Sequence, residues 1–266
     1  MMNIIVCVKQ VIDPEAPPAS FKIDAAKNKA EMHGVPPVID PYGEYAVEAA
    51  LRVKEAAGGK ITVISLGVNL LREVVKKPLA MGADELILLE DEAYVGGDSW
   101  STANTIAAAV KKIGAYDMIM CGREASDTNA GQTGLAIAEI LGLPCVNLAR
   151  KVEAKDGKLR IERVSSSGYD VIESPTPVVI TVSNEIGQPR YPTVKGIMAA
   201  KKVEPVIWKP TDIGIGAADT GASAQRTKMQ KLFQPVYEGK CDFAAGDSPE
   251  EMAADLATKL RQAKVL

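Results

Sequence analysis

Five short apolar runs, NIIVCVKQV (Asn3–Val11), KITVISLG, ELILLED, YDMIMCG and CVNLA, alternate with stretches of helical periodicity through the first 150 residues. Runs this apolar, without polar alternation, are strands covered on both faces, and the helices between them supply the cover. The helices carry their own punctuation. In YGEYAVEAALRVKEAAGG (Tyr42–Gly59) the residues Tyr45, Ala46, Ala49, Ala50 and Val53 share one face, and Gly58-Gly59 ends the helix. DSWSTANTIAAAVKKIG starts on a cap at Asp98 or Ser99 and stops at Gly114. LLREVVKKPLAMGAD is interrupted near Pro78. The expected fold class is α/β, a doubly wound, mostly parallel, Rossmann-like sheet. Ligands of such sheets sit outside the carboxyl ends of the strands, so the loops after Val8, Leu66, Asp91 and Cys121 belong to one rim.

The texture changes after residue 150. KLRIERVSSSGYDVIESPTPVVITVS reads as two or three strands of an antiparallel extension. NEIGQPRYPTVKGIMAAKK is a loop running into a short helix. Beyond Val203 the chain is rich in Gly, Pro, Ala and Thr up to Gly246, and it closes in a helix capped by Ser248 with Pro249 at its first position and Glu250-Glu251 in its first turn. A long, weakly periodic stretch tethering a terminal helix reads as a C-terminal arm packed on another subunit. The expected division is an α/β domain over 1–203, including the loop at 184–202, and an arm over 204–266.

Composition narrows the function classes. Apolar residues make up 47% of the 266, enough for a full core. Aromatic residues are 5% and the net charge is −3, which argues against a nucleic-acid surface. No apolar run approaches the roughly 18 residues of a membrane span, and MMNIIVCVKQ begins a strand. A soluble, cytoplasmic chain without direct membrane insertion is expected. Cys7, Cys121, Cys145 and Cys241 form no C-x-x-C, and His33 is the only histidine. A metal site or a thiol–imidazole pair would need distant residues to meet, so the cysteines read as small buried hydrophobes, and neither catalytic nor metal-binding residues are expected.

CGREASDTNAGQTGLAIAEILGLP (Cys121–Pro144) runs from a strand through a small-residue polar loop into a helix. The loop carries Arg123, Glu124, Ser126, Asp127, Thr128, Asn129, Gly131, Gln132 and Thr133. One reading is an anion cradle: amides at the helix start take phosphate oxygens, Thr128 and Thr133 add hydroxyls, and Gly131 permits close approach. The other is a capped turn with no ligand. Asp40-Pro41-Tyr42, on the same rim, is either a ligand contact or simply a cap with Pro before the first long helix.

SPTPVVITVSNEIGQPRYPTVKGIMAAKK resembles a segment of the electron transfer flavoprotein β subunit, a P-x-V-V-T strand followed by N-x-P-R-Y-x-T/S-x-x-x-I-M-x-A-K-K. VCVKQVID is similar to the family's opening strand, and DPYGEYAVEAALRVKE to its N-P-[FY]-x-x-x-A-[LV]-E-x-A-L segment. PLAMGADELILL resembles L-A-M-G-A-D with its strand, and CGREASDTNAGQTG has the frame of the G-[KR]-Q-A-I-D loop. The resemblance runs in order from residue 3 to about 205.

It implies a β subunit pairing with an α subunit that carries the redox FAD, and an adenine nucleotide in this chain. AMP is favoured there, with a second FAD as the alternative. It implies Asp40, Pro41, Tyr42, Leu66, Gly122, Arg123, Asp127, Gln132 and Thr133 as nucleotide neighbours, with Val8 and Lys9 from the first strand; the cradle reading of the loop adds Thr128, Asn129 and Gly131. It implies a docking loop through Pro189, Arg190, Tyr191, Val194, Ile197 and Met198, with Val194 where leucine is usual. The implied role is electron carriage from acyl-CoA dehydrogenases to a quinone oxidoreductase or another acceptor. Two rivals stand beside it: a bifurcating subunit whose own FAD takes electrons from NADH, and a universal-stress-type nucleotide-binding regulatory module.

Three departures bear on the choice. Asp40 replaces the family's asparagine, Q-A-I-D reads Glu124-Ala125-Ser126-Asp127, and QTG follows the AMP-type pattern. YVGGDSWSTANTIAAAV resembles the A-G-A-D-T-x-A-T helix commoner in bifurcating members.

Overall fold

The computed structural model describes all residues except 25, 27, 33, 156, 157, 237, 238, 240 and 266. His33, the histidine singled out above, lies outside the described residues. In chain order the strands are β1 (Met2–Val8), β2 (Gln10–Val11), β3 (Phe21–Asp24), β4 (Lys29–Met32), β5 (Val38–Ile39), β6 (Gly59–Gly67), β7 (Glu85–Glu90), β8 (Met118–Gly122), β9 (Cys145–Lys155), β10 (Lys158–Ser165), β11 (Gly168–Ser174), β12 (Val178–Val182) and β13 (Val206–Trp208). The helices are α1 (Pro41–Ala57), α2 (Arg72–Val75), α3 (Lys77–Met81), α4 (Ser99–Ile113), α5 (Thr133–Leu141), α6 (Val194–Lys202) and α7 (Pro249–Gln262).

Nine strands form one sheet in the order β11-β10-β9-β12-β8-β1-β6-β7-β13. All neighbours from β9 through β12 to β13 are parallel, and β9-β10-β11 is antiparallel. Each face has its own core, as the unbroken apolar strands require. Ile4, Val6, Ile61, Val63, Met118, Met120, Val178 and Ile180 turn to one side, with Ala46, Val47, Ala50 and Val53 of α1 and Ala200 of α6. Ile5, Ile64, Ile119 and Val179 turn to the other, with Ala103, Ile106 and Val110 of α4 and Ile137 of α5. Sequence breaks fall where the chemistry puts them. Asp98 caps α4 by accepting the Ser101 amide at 2.9 Å, Gly114 ends that helix, and Pro78 lies in the first turn of α3 after a break at Lys76.

Two expectations are refined. The run after Pro177 is not part of the antiparallel extension: β12 returns to the middle of the sheet, between β9 and β8. The long β9 makes this possible by pairing parallel with β12 over its first residues and antiparallel with β10 over the rest. The first compact unit also runs beyond residue 203, to Gln230. Val206–Trp208 add an edge strand to β7, and the following turns tie to α4 through Asn104 Nδ2 to the Asp219 carbonyl (2.9 Å) and the Thr105–Thr220 hydroxyl pair (2.5 Å).

The second unit spans Lys231–Leu266. Ser248 caps α7 on the Glu251 amide at 3.2 Å, and Lys259 pairs with Asp255 at 2.8 Å. α7 buries none of its residues; Met252 and Leu256, one turn apart, form an exposed apolar stripe.

Candidate functional site

The chain leaves β1 for β6 on one side, while β8 lies against β1 on the other, so the carboxyl ends of β1 and β8 frame the point where strand order reverses. Lys9 and Arg123 follow these two strand ends. The short β2–β5 pairing brings Asp40 beside Lys9, whose carbonyl accepts the Asp40 amide at 2.8 Å. Pro41 then opens α1.

Asp40 is the structural centre of the rim. One carboxylate oxygen accepts the Tyr42 amide at 2.8 Å, capping α1. The other accepts the Ser126 amide at 2.7 Å and its hydroxyl at 3.3 Å, tying α1 to the loop after β8. The side chain is 2% exposed. Burial pushes its carboxyl above the usual range, although the bonds from Ser126 and Tyr42 pull the other way. Nothing in the sequence marked Ser126 as the partner; the contact spans 86 residues.

Gly122 is required by close approach. A Cβ there would lie 2.6 Å from the Tyr42 Cβ and 2.7 Å from its carbonyl carbon, so the end of β8 can lie on the first turn of α1 only without a side chain. Arg123 sits with its guanidinium 5.3 Å from the Tyr42 ring centre and pairs with Glu124 at 2.8 Å. Burial raises the Tyr42 phenol, with Arg123 opposing. Lys9 holds both oxygens of Asp127, at 2.8 and 2.7 Å, and so connects β1 to the outer part of the loop.

Ala125 closes a turn by accepting the amides of Thr128 and Asn129, which with Ala130 form the exposed tip. Asn129 at φ 47° and Gly131 at φ 62° then bend the chain into α5. Gln132 caps that helix with no side-chain hydrogen bond, leaving the first-turn amides at Thr133, Gly134 and Leu135 without a side-chain cap at the helix's positive end. A Cβ on Gly134 would come within 2.7 Å of the Thr181 methyl, so α5 lies close on β12.

Leu66 shares the α4–α5 face of the sheet with Cys7 and Cys121. Val8 turns the other way: its side chain is buried against α1, so it presents only backbone to the rim. The rim thus gathers Lys9, Asp40, Pro41, Tyr42, Gly122, Arg123 and the 124–133 loop.

The 184–202 segment is built separately. Arg190 donates to Glu48 through its backbone amide (3.1 Å), Nε (2.8 Å) and Nη2 (3.2 Å), and also pairs with Glu55. Arg52 adds a bond to Glu48 at 2.8 Å and another to the Ile186 carbonyl at 2.6 Å. Arg190 is therefore engaged with α1, a role for which the sequence offers no local sign. Thr193 caps α6 on the Gly196 amide at 3.0 Å, and a Cβ on Gly196 would stand 2.3 Å from the Ala80 carbonyl oxygen, so that face of α6 is against α3. The opposite face is open: Tyr191 is 84%, Val194 76% and Met198 61% exposed, with Ile197 beside them. Pro189 is partly buried at the loop's entry.

A family model described as "Electron transfer flavoprotein domain" matches residues 28–213, which take in the Asp40 cap, the Arg123–Thr133 loop and α6. The chain is 38% identical to an electron transfer flavoprotein subunit beta of Clostridium acetobutylicum over 262 residues, 98% of each chain. It belongs to the electron transfer flavoprotein β subunits. The caffeyl-CoA reductase-Etf complex subunit CarD of Acetobacterium woodii is 35% identical over 100% of both chains. Protein FixA of Azorhizobium caulinodans is 31% identical over 88% of this chain and 85% of its own. Membership makes this an electron transfer subunit of a flavin-associated family whose β chains pair with an α subunit, and it sets aside the stress-module reading. No helix among the described residues is long and apolar enough to cross a membrane.

Proposed function

We propose that this chain holds an adenine nucleotide, AMP, on the rim between β1 and β8. In this reading it is the β subunit of a heterodimer whose α subunit carries the redox FAD, moving electrons from acyl-CoA dehydrogenase-type flavoenzymes to a quinone oxidoreductase or another acceptor. The observation that carries it is the start of α5: a helix N-terminus without a side-chain cap, reached through Gly131 and flanked by Thr133. Asp40 sharpens the placement. Its carboxylate already occupies the amides of Tyr42 and Ser126, so an anion is repelled from that corner and directed to α5. This chain's residues then hold and orient a nucleotide; bound FAD supplies the electron-carrying chemistry.

The open face of α6 supports docking of the donor flavoenzyme through Tyr191, Val194, Ile197 and Met198, with Arg190 keeping the loop's shape instead of meeting the partner. The terminal unit, with its exposed Met252–Leu256 stripe, fits an arm that packs on the α subunit.

A second reading places FAD in the same cradle, taking electrons from NADH. It is favoured by the full-length likeness to a protein named as a subunit of a caffeyl-CoA reductase-Etf complex. Counting nucleotides separates the two. The chain is purified with its α subunit, the complex denatured, and AMP and FAD quantified per heterodimer. One of each supports the AMP reading; two FAD without AMP replaces it with the second.

A further inference from the structure

Cys7 and Cys121 stand opposite each other on the neighbouring parallel strands β1 and β8. Both fall on the sheet face under α4 and α5, where Cys121 is buried and Cys7 is partly exposed. Neighbouring strands lie about 4.8 Å apart, within the roughly 4.4–6.8 Å Cα separation that a disulfide spans. The neighbouring Cys7 together with burial pushes the Cys121 thiol up. Two residues beyond each cysteine come Lys9 and Arg123, so the pair underlies the proposed nucleotide cradle. Neither sulfur has a part in electron carriage as derived above.

We propose that Cys7 and Cys121 are a thiol pair modified from the cradle, in which Cys7 reacts with a low-molecular-weight disulfide and Cys121 resolves the product into an intramolecular disulfide. The order follows from access. Cys7, as its thiolate, attacks one sulfur of R–S–S–R; the Cys7–S–S–R bond forms, and R–S⁻ leaves and takes up the proton that Cys7 gave to solvent. Cys121, sealed from solvent and held protonated, is reached only from its neighbour. It attacks the Cys7 sulfur and gives its proton to the departing second R–S⁻, which leaves as R–SH. Two protein thiols are oxidised to one disulfide, and one small disulfide is reduced to two thiols.

Such a bond would fasten β1 to β8 directly beneath Lys9 and Arg123. Coupling to ligand rests on the nucleotide reading: a nucleotide in the cradle covers Cys7 and slows the first attack, and the oxidised pair in turn disfavours the nucleotide.

The test uses the chain purified with its α subunit, stripped of nucleotide, then exposed to oxidised glutathione alone, with AMP, or with FAD. Peptide mass spectrometry follows each cysteine, with the exposed Cys241 as internal control. A Cys7–Cys121 disulfide in the stripped protein is the expected result, slowed roughly 100-fold by nucleotide at about 100 times its Kd. Cys121→Ser should stop at the mixed disulfide on Cys7, and Cys7→Ser should leave Cys121 unmodified. Glutathionylated Cys241 beside free Cys7 and Cys121 thiols would overturn the proposal, needing no variant that folds. A disulfide that forms equally fast under AMP and FAD keeps the thiol pair and overturns the nucleotide's placement.

Discussion

Arg190 reaches across 142 residues of sequence to Glu48, placing its backbone amide and its Nε on the same carboxylate oxygen at 3.1 and 2.8 Å. Glu48 is 4% exposed and is held from a second side by Arg52. Burial pushes its carboxyl up, but the bonds from Arg190 and Arg52 outweigh it and leave the group below the usual glutamate range. A depressed carboxyl stabilises the fold fully above its unfolded pKa, about 4.3, and the contribution is lost as pH falls through the lower folded value. Arg190→Ala should cost about 2 kcal/mol at pH 7, the scale of hydrogen bonds to a charged group, and the gap to wild type should narrow below about pH 4. Urea unfolding at both pH values checks this; a gap independent of pH would rule out Glu48 as the origin.

Asp40→Ala removes the acceptor of two backbone amides and should cost about 3 kcal/mol, since each buried donor left unpaired costs about 1–3 kcal/mol. Asp40→Asn keeps one acceptor oxygen and removes a buried charge, so its loss should be smaller. The pH sign is opposite to that of Glu48. Because the folded Asp40 carboxyl is raised, wild type loses stability relative to Asp40→Asn as pH rises from the ordinary aspartate range through the folded value. Chemical unfolding of both proteins across that range tests it, and parallel curves would contradict it.

Asp98 does two jobs at the start of α4. One oxygen caps the helix on Ser101; the other accepts the amides of Arg226 and Thr227, both at 2.8 Å, and the Thr227 hydroxyl at 2.9 Å. Burial opposes the charge, yet these bonds hold the Asp98 carboxyl well below the usual range. The Arg226 guanidinium lies 3.3 Å over the Trp100 ring. Asp98→Ala should speed tryptic cleavage after Arg226 and alter Trp100 fluorescence. In wild type, acid should alter Trp100 fluorescence as pH falls through the depressed value. Unchanged cleavage would mean that the Arg226–Thr227 segment is held elsewhere.

Val194→Leu adds one methylene to a side chain that is 76% exposed. If α6 docks the donor flavoenzyme, binding should tighten about fourfold, the equivalent of about 0.8 kcal/mol for a buried methylene. The melting temperature should not move, because the residue has little contact within its own chain. Calorimetric titration with the donor decides; a shifted melting temperature with unchanged affinity would place Val194 in the fold instead.

The parallel core was legible because strands buried on both faces need nearly unbroken apolar runs, and Ile4–Val6, Leu86–Leu89 and Met118–Met120 have them. The caps at Asp98, Ser248 and Gly114 were legible because each acts within a few residues of itself. β12 was harder to place. Val178–Val182 is apolar throughout, but which strands it joins depends on pairing with β8 and β9. At the rim, the 123–133 loop and Asp40 were visible as residue types, whereas the Asp40–Ser126 bond, the Lys9–Asp127 pair and the inward turn of Val8 were not.

The sequence by itself determined the α/β class and, through its motifs, the family. Each depends on local periodicity, capping or residue order. Only the tertiary structure decided that Arg190 grips Glu48 and leaves Val194 and Met198 open, that Gly122 is required by the approach of Tyr42, and that Cys7 meets Cys121. Those relationships join residues 80 or more positions apart, and their geometry exists only once the strands are ordered in the sheet and the helices are packed on its faces.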